Sequence, residues 1–94
     1  MKEKIINHVS ELLPDLVEDI KTICSMDSRQ DTATPEDPYG KRVTDCLNAA
    51  LAIARRLGFE TENVGYQVGI AACGPDTEDY IACVGHLDVV DVDG

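Results

Sequence analysis

The run Tyr80-Ile81-Ala82-Cys83-Val84 carries no charge and leads through Gly85 straight into His86-Leu87-Asp88. An apolar run of this length reads as a strand buried on both faces, and such strands belong to sheets covered by helices. Residues two apart on a strand share a side, so His86 and Asp88 are expected to reach one site at the strand's C-terminal end. Open α/β sheets bind their ligands there. Neutral imidazole is a common metal ligand, and a nearby carboxylate can accept its second N–H or bind the metal itself. Gly94 follows Asp88 by only six residues, so the site is expected to be incomplete within this stretch.

Two helices are expected before that run. Ile5, Val9, Leu12, Leu13, Leu16, Ile20 and Ile23 form one apolar face at helical spacing, predicting a helix over 3–25. Pro14 lies inside it, so a bend or a break is expected there. Val43, Leu47, Ala50, Leu51, Ala54 and Leu57 predict a second helix over 42–57. Arg55 and Arg56 suit its last turn, and Gly58 suits the left-handed residue beyond it. Between them, Ser25 to Tyr39 holds Asp27, Ser28, Asp31, Thr34, Pro35, Asp37 and Pro38 and reads as a long solvated loop. His8 reads as a surface or boundary residue.

Tyr66, Val68, Ile70 and Ala72 alternate with less apolar positions, the strand period. Gly74-Pro75-Asp76-Thr77 reads as a turn. An antiparallel hairpin of strands near 63–73 and 79–85 is therefore expected. The element order is helix, helix, strand, strand. Residues 1–94 read as at most one small domain of the α/β class, with an α+β element order and without repeats or low-complexity segments.

Charge and cysteine usage exclude several classes. The net charge is −10 and the pI near 4.3, which argues against nucleic acid and anionic membranes as partners. No stretch approaches the roughly 20 apolar residues of a membrane span. No signal peptide is recognised after Met1-Lys2-Glu3-Lys4, because Asn7, His8, Ser10 and Glu11 interrupt any apolar run. Cys24, Cys46, Cys73 and Cys83 form no C-x-x-C pair. They read as small buried hydrophobes in a reducing, cytoplasmic setting. Asp88, Asp91, Asp93 and Gly94 do not make a calcium loop, because Val89 falls where its first ligand belongs.

Leu51-Ala52-Ile53-Ala54-Arg55-Arg56-Leu57-Gly58-Phe59-Glu60-Thr61-Glu62-Asn63-Val64, followed by Val84-Gly85-His86-Leu87-Asp88-Val89-Val90, resembles the N-terminal part of di-zinc dipeptidases. These belong to the aminoacylase/carboxypeptidase G superfamily of metallopeptidases, and the look is nearest to its bacterial, PepV-like branch. Ser25-Met26-Asp27-Ser28 and Tyr39-Gly40-Lys41 sit where that branch has similar segments. The resemblance covers most of the chain but about the first fifth of a complete family member. It implies the first portion of a zinc-exopeptidase-like catalytic domain, without the lid domain.

By resemblance, His86 is a terminal ligand of one of two zinc ions, and Asp88 is the catalytic aspartate that holds or tunes that histidine. The bridging aspartate, the glutamate base and the later ligands of the family have no counterparts here. The family's Val-Val-Pro and Gly-rich turn is altered, with Asp91 in place of the proline. The implied activity of the complete enzyme is hydrolysis of dipeptides or short peptides. The isolated 94-residue chain is expected to be inactive and to bind metal weakly. The alternative is a free-standing non-catalytic protein that binds a partner chain or pairs with itself through the exposed strand.

Overall fold

The computed structural model describes residues 1–75 and 79–90. Helix α1 spans Lys2–Cys24 and helix α2 spans Lys41–Arg56. Strands β1 (Glu60–Val64) and β2 (Val68–Ala72) follow. The expected order of helix, helix, strand, strand is what the chain adopts.

Helix α1 runs through Pro14 without a break. Proline's fixed φ lies within the helical range, so the cost is a lost hydrogen bond and local crowding rather than termination. The apolar stripe has little to rest on: α1 contributes no buried residue, and Ile5, Val9, Leu12, Leu13, Leu16 and Ile20 are all exposed. Asp19 pairs with Arg56 and ties α1 to the end of α2. No helix among the described residues is long and apolar enough to cross a membrane.

Helix α2 carries the core. Among the described residues, Cys46, Leu47 and Leu51 are the buried hydrophobic ones, joined by Thr44, whose hydroxyl donates to the Gly40 carbonyl. The helix begins after Gly40 at φ 104°, where a Cβ would lie 2.5 Å from that of Asp31. Both facts demand glycine. It ends at Arg56, capped by Leu57, with Gly58 at φ 96° just beyond, as Arg55, Arg56 and Gly58 foretold.

The hairpin is placed differently from the sequence expectation. β1 and β2 pair antiparallel from Glu60↔Ala72 to Val64↔Val68. The predicted strand near 63–73 is thus split by a turn at Gly65-Tyr66-Gln67. Gly65 and Tyr66 both have φ 61°, the primed-turn geometry that matches strand twist. Gln67 N–H donates to the Val64 carbonyl at 3.1 Å. Asn63 Oδ1 accepts the Tyr66 N–H at 2.9 Å and supports a tyrosine in a left-handed position. Leu47 and Leu51 lie so close to Gly69 that a Cβ there would come within 2.8 and 2.9 Å of their methyls. Arg55 also donates to the Thr61 hydroxyl, and Asn63 to Asn48.

The second predicted strand, 79–85, does not form among its residues. Tyr80, Ile81 and Val84 are 82%, 97% and 97% exposed rather than buried. Burial on both faces requires neighbouring strands and covering helices, and the local β1–β2 pairing has already satisfied the hairpin. The expected turn at Gly74–Thr77 extends into residues 76–78, and the Asp91 departure lies in 91–94; both reach outside the described residues. Cysteine burial also needs correction: Cys46 is buried, whereas Cys24, Cys73 and Cys83 are exposed free thiols. The accessible surface is 7931 Å² for a 10.2 kDa chain, against roughly 5,300 Å² for a compact monomer of that mass. Among the described residues, only Cys46, Leu47 and Leu51 form the hydrophobic core.

Candidate functional site

Residues 84–88 form one wall of an open groove of about 750 Å³. Val43, Leu47 and Leu51 of α2 and Val68 of the hairpin supply apolar lining, with Tyr39 from the preceding loop. His86 and Asp88 contribute the polar groups on this wall.

The strand on which His86 and Asp88 were expected to share a side does not form, yet the two residues meet locally. His86 Nδ1 lies 2.9 Å from the Asp88 backbone carbonyl oxygen and 3.4 Å from its Oδ1. A carbonyl oxygen can only accept, so Nδ1 carries the proton in this contact. In the neutral ring the lone pair is then on Nε2. A metal-ligating histidine commonly has this arrangement, one nitrogen donating to a carbonyl or carboxylate and the other left for the ion.

The loop before α2 reaches this segment. Ser28 is 4% exposed, and its hydroxyl donates to the Leu87 carbonyl at 2.7 Å. The Val89 N–H donates to the Ser28 carbonyl at 3.3 Å, and a parallel bridge pairs Arg29 with Val89. Arg42, in the first turn of α2, holds the loop from the other side. It donates to the carbonyls of Arg29 (3.1 Å) and Gln30 (3.2 Å) and to Asp27 Oδ2 (3.0 Å). Arg29 folds back on the same carboxylate at 2.8 and 2.7 Å. Hydrogen bonds from Arg29, with the charge of Arg42 added, hold the Asp27 carboxyl well below the usual carboxylate range. The solvated loop read from the sequence is thus tied down by guanidinium groups. Burial pushes the Cys46 thiol up, and the adjacent Ser28 hydroxyl opposes that shift.

Sequence reasoning missed Ser28 and Arg42 as parts of this site. Ser28 fell within the Ser25-Met26-Asp27-Ser28 segment noted only for its resemblance, and no signal marked Arg42. His8 lies on the exposed surface of α1, as read.

His86 with a free Nε2 fits one coordination position. No group of three or more His, Cys, Asp or Glu converges among the described residues, whereas a catalytic zinc takes about three protein ligands. The described residues therefore fit one ligand of a site and do not complete one.

No family model matches the chain, and no solved structure matches it. The chain is similar to a Beta-Ala-Xaa dipeptidase of Lactobacillus delbrueckii subsp. lactis, with 34% identity over 77 residues. That match takes in 80% of this chain and 16% of the dipeptidase, so the chain spans about a sixth of that relative's length. The similarity supports a dipeptidase-like relationship for the segment.

Proposed function

We propose that this chain is the N-terminal segment of a zinc-dependent dipeptidase and that His86 is a ligand of one of its two metal ions. The observation that carries the reading is the contact between His86 Nδ1 and the Asp88 carbonyl, in a chain similar to a dipeptidase. It leaves Nε2 to ligate. Asp88 orients the imidazole through its carbonyl and through its carboxylate 3.4 Å away. The apolar groove beside them suits the side chain of a short peptide or a β-alanyl dipeptide. When bound, zinc supplies Lewis acidity at the scissile carbonyl and acidifies water. The general base and remaining ligands of the family have no counterparts at the positions this chain shares with it, so on this reading hydrolysis belongs to a longer polypeptide.

The test has two arms. The native reading frame, including any coding sequence beyond Gly94, is expressed and assayed with zinc against β-alanyl and α-dipeptides. Hydrolysis abolished by His86→Ala is expected. The 94-residue chain, tested alone, is expected to be inactive. A stop codon directly after Gly94, or a longer product whose turnover survives His86→Ala, refutes the reading.

One observation favours a second reading, a non-catalytic protein that pairs with itself. The apolar stripe of α1 and the stretch around Ile81 and Val84 are exposed, and surfaces of this kind invite association. Sedimentation showing only monomer at about 50 μM, a concentration well above that of tight association, counts against it.

A further inference from the structure

We propose that Ser28 is a positioning residue for His86, setting the orientation and tautomer of its imidazole through two consecutive peptide groups. The Ser28 hydroxyl donates to the Leu87 carbonyl at 2.7 Å and so holds the peptide between Leu87 and Asp88. The Ser28 carbonyl accepts the Val89 N–H at 3.3 Å and holds the next peptide, between Asp88 and Val89.

The carbonyl of that second peptide is the Asp88 oxygen that receives His86 Nδ1 at 2.9 Å. In a trans peptide the N–H and C=O point in opposite directions. With Val89 N–H turned toward Ser28, the Asp88 carbonyl is turned away from Ser28 and toward the imidazole. Ser28 therefore decides where the acceptor for Nδ1–H stands, without touching the ring.

Ser28 is itself held firmly. It is 4% exposed and sits against Cys46 of α2, which is fully buried. One helical turn before Cys46, Arg42 grips the carbonyls of Arg29 and Gln30, the two residues after Ser28. Positions four apart share a helix face, so one face of α2 anchors the loop that anchors the histidine. The chain between these partners is long, with Ser28 and Leu87 separated by 59 positions. The exposed His86 and Asp88 side chains have no comparable packing of their own.

The purpose of this arrangement rests on the reading of His86 as a metal ligand. Its geometry does not, and the experiment is made without metal so that either can fail alone. The 94-residue chain is labelled with ¹⁵N and studied by NMR at pH 8, where an ordinary imidazole is neutral. Long-range ¹H–¹⁵N spectra report the His86 tautomer, and hydrogen exchange reports the Val89 amide.

In the wild type, the Nδ1–H tautomer and a protected Val89 amide are expected. In Ser28→Ala, the Nε2–H tautomer gains at the expense of Nδ1–H. Val89 exchange rises several-fold to about tenfold, because losing the Ser28 hydroxyl bond to Leu87 loosens the backbone pairing that alanine retains. Amides of α2 and the β1–β2 hairpin keep their protection, and Ser28→Thr restores the wild-type tautomer. An unchanged tautomer in a folded Ser28→Ala chain overturns the proposal, as does an equal loss of protection at every amide. Should Ser28→Ala not fold, the wild-type spectra decide alone: an Nε2–H ring at His86, or an unprotected Val89 amide, also overturns it.

Discussion

Replacing Gly69 with alanine is expected to destabilise the chain, although a strand position ordinarily prefers any residue to glycine. Two terms compete. Removing glycine's freedom from the unfolded chain favours the fold by about 0.4–1 kcal/mol. The new Cβ, however, meets Leu47 Cδ1 at 2.8 Å, Leu51 Cδ2 at 2.9 Å and Leu51 Cγ at 3.3 Å. Carbon atoms pack best at about 3.5–4.0 Å, so both leucines must retreat by more than half an ångström. Leu47 and Leu51 are two of the three buried hydrophobic residues among the described residues, and neither can move without disturbing the packing of α2 on the hairpin. Overpacking a filled core costs about 1–3 kcal/mol, so the net loss is about 1–2 kcal/mol. With m near 1–2 kcal/mol/M, the urea midpoint falls by about 0.5–2 M. Circular dichroism at 222 nm follows the unfolding. Leu51→Ala in the same chain removes two of the three close contacts, so the double variant should show a favourable coupling of about 1 kcal/mol relative to the sum of singles. A neutral or stabilising Gly69→Ala, or strictly additive energies, refutes the close approach between α2 and β2.

Gly40→Ala is expected to cost at least about 2 kcal/mol, because it combines a left-handed backbone with a collision at Asp31, and urea denaturation measures it. The Asp27 carboxyl, lowered by Arg29 and Arg42, contributes stability that is complete above the ordinary value of 3.8 and declines as pH falls below it. Its carboxyl carbon, followed by NMR, should therefore still be largely ionised at about pH 3, where an unperturbed aspartate is mostly protonated; an ordinary midpoint refutes the Arg29–Asp27–Arg42 arrangement. In native chain, a thiol reagent should modify Cys24, Cys73 and Cys83 rapidly and Cys46 only on unfolding, so four fast thiols would show that α2 is not packed as described.

The two helices were legible from the chain because helical periodicity is a local property. A stripe at steps of three and four specifies α1 and α2 whatever surrounds them. Arg55, Arg56 and Gly58 marked the end of α2 within the sequence itself. The contact between His86 and Asp88 is local, between residues two apart, although the strand from which it was expected does not form. The hairpin was misplaced because its turn puts Tyr66 at φ 61°. A tyrosine there is unusual, and only the Asn63 side chain and the pairing of Val64 with Val68 make it acceptable. Burial of residues 79–85 was misjudged for a different reason: hydrophobicity states what a segment prefers, while covering it requires partners that the segment cannot specify. The contacts of Ser28 with Leu87 and Val89, and of Arg42 with the loop between Asp27 and Gln30, arise only when α2 brings distant stretches together. Composition and periodicity carry no signal for such pairs, because hydrogen bonds between residues far apart in sequence depend on the path of the whole backbone.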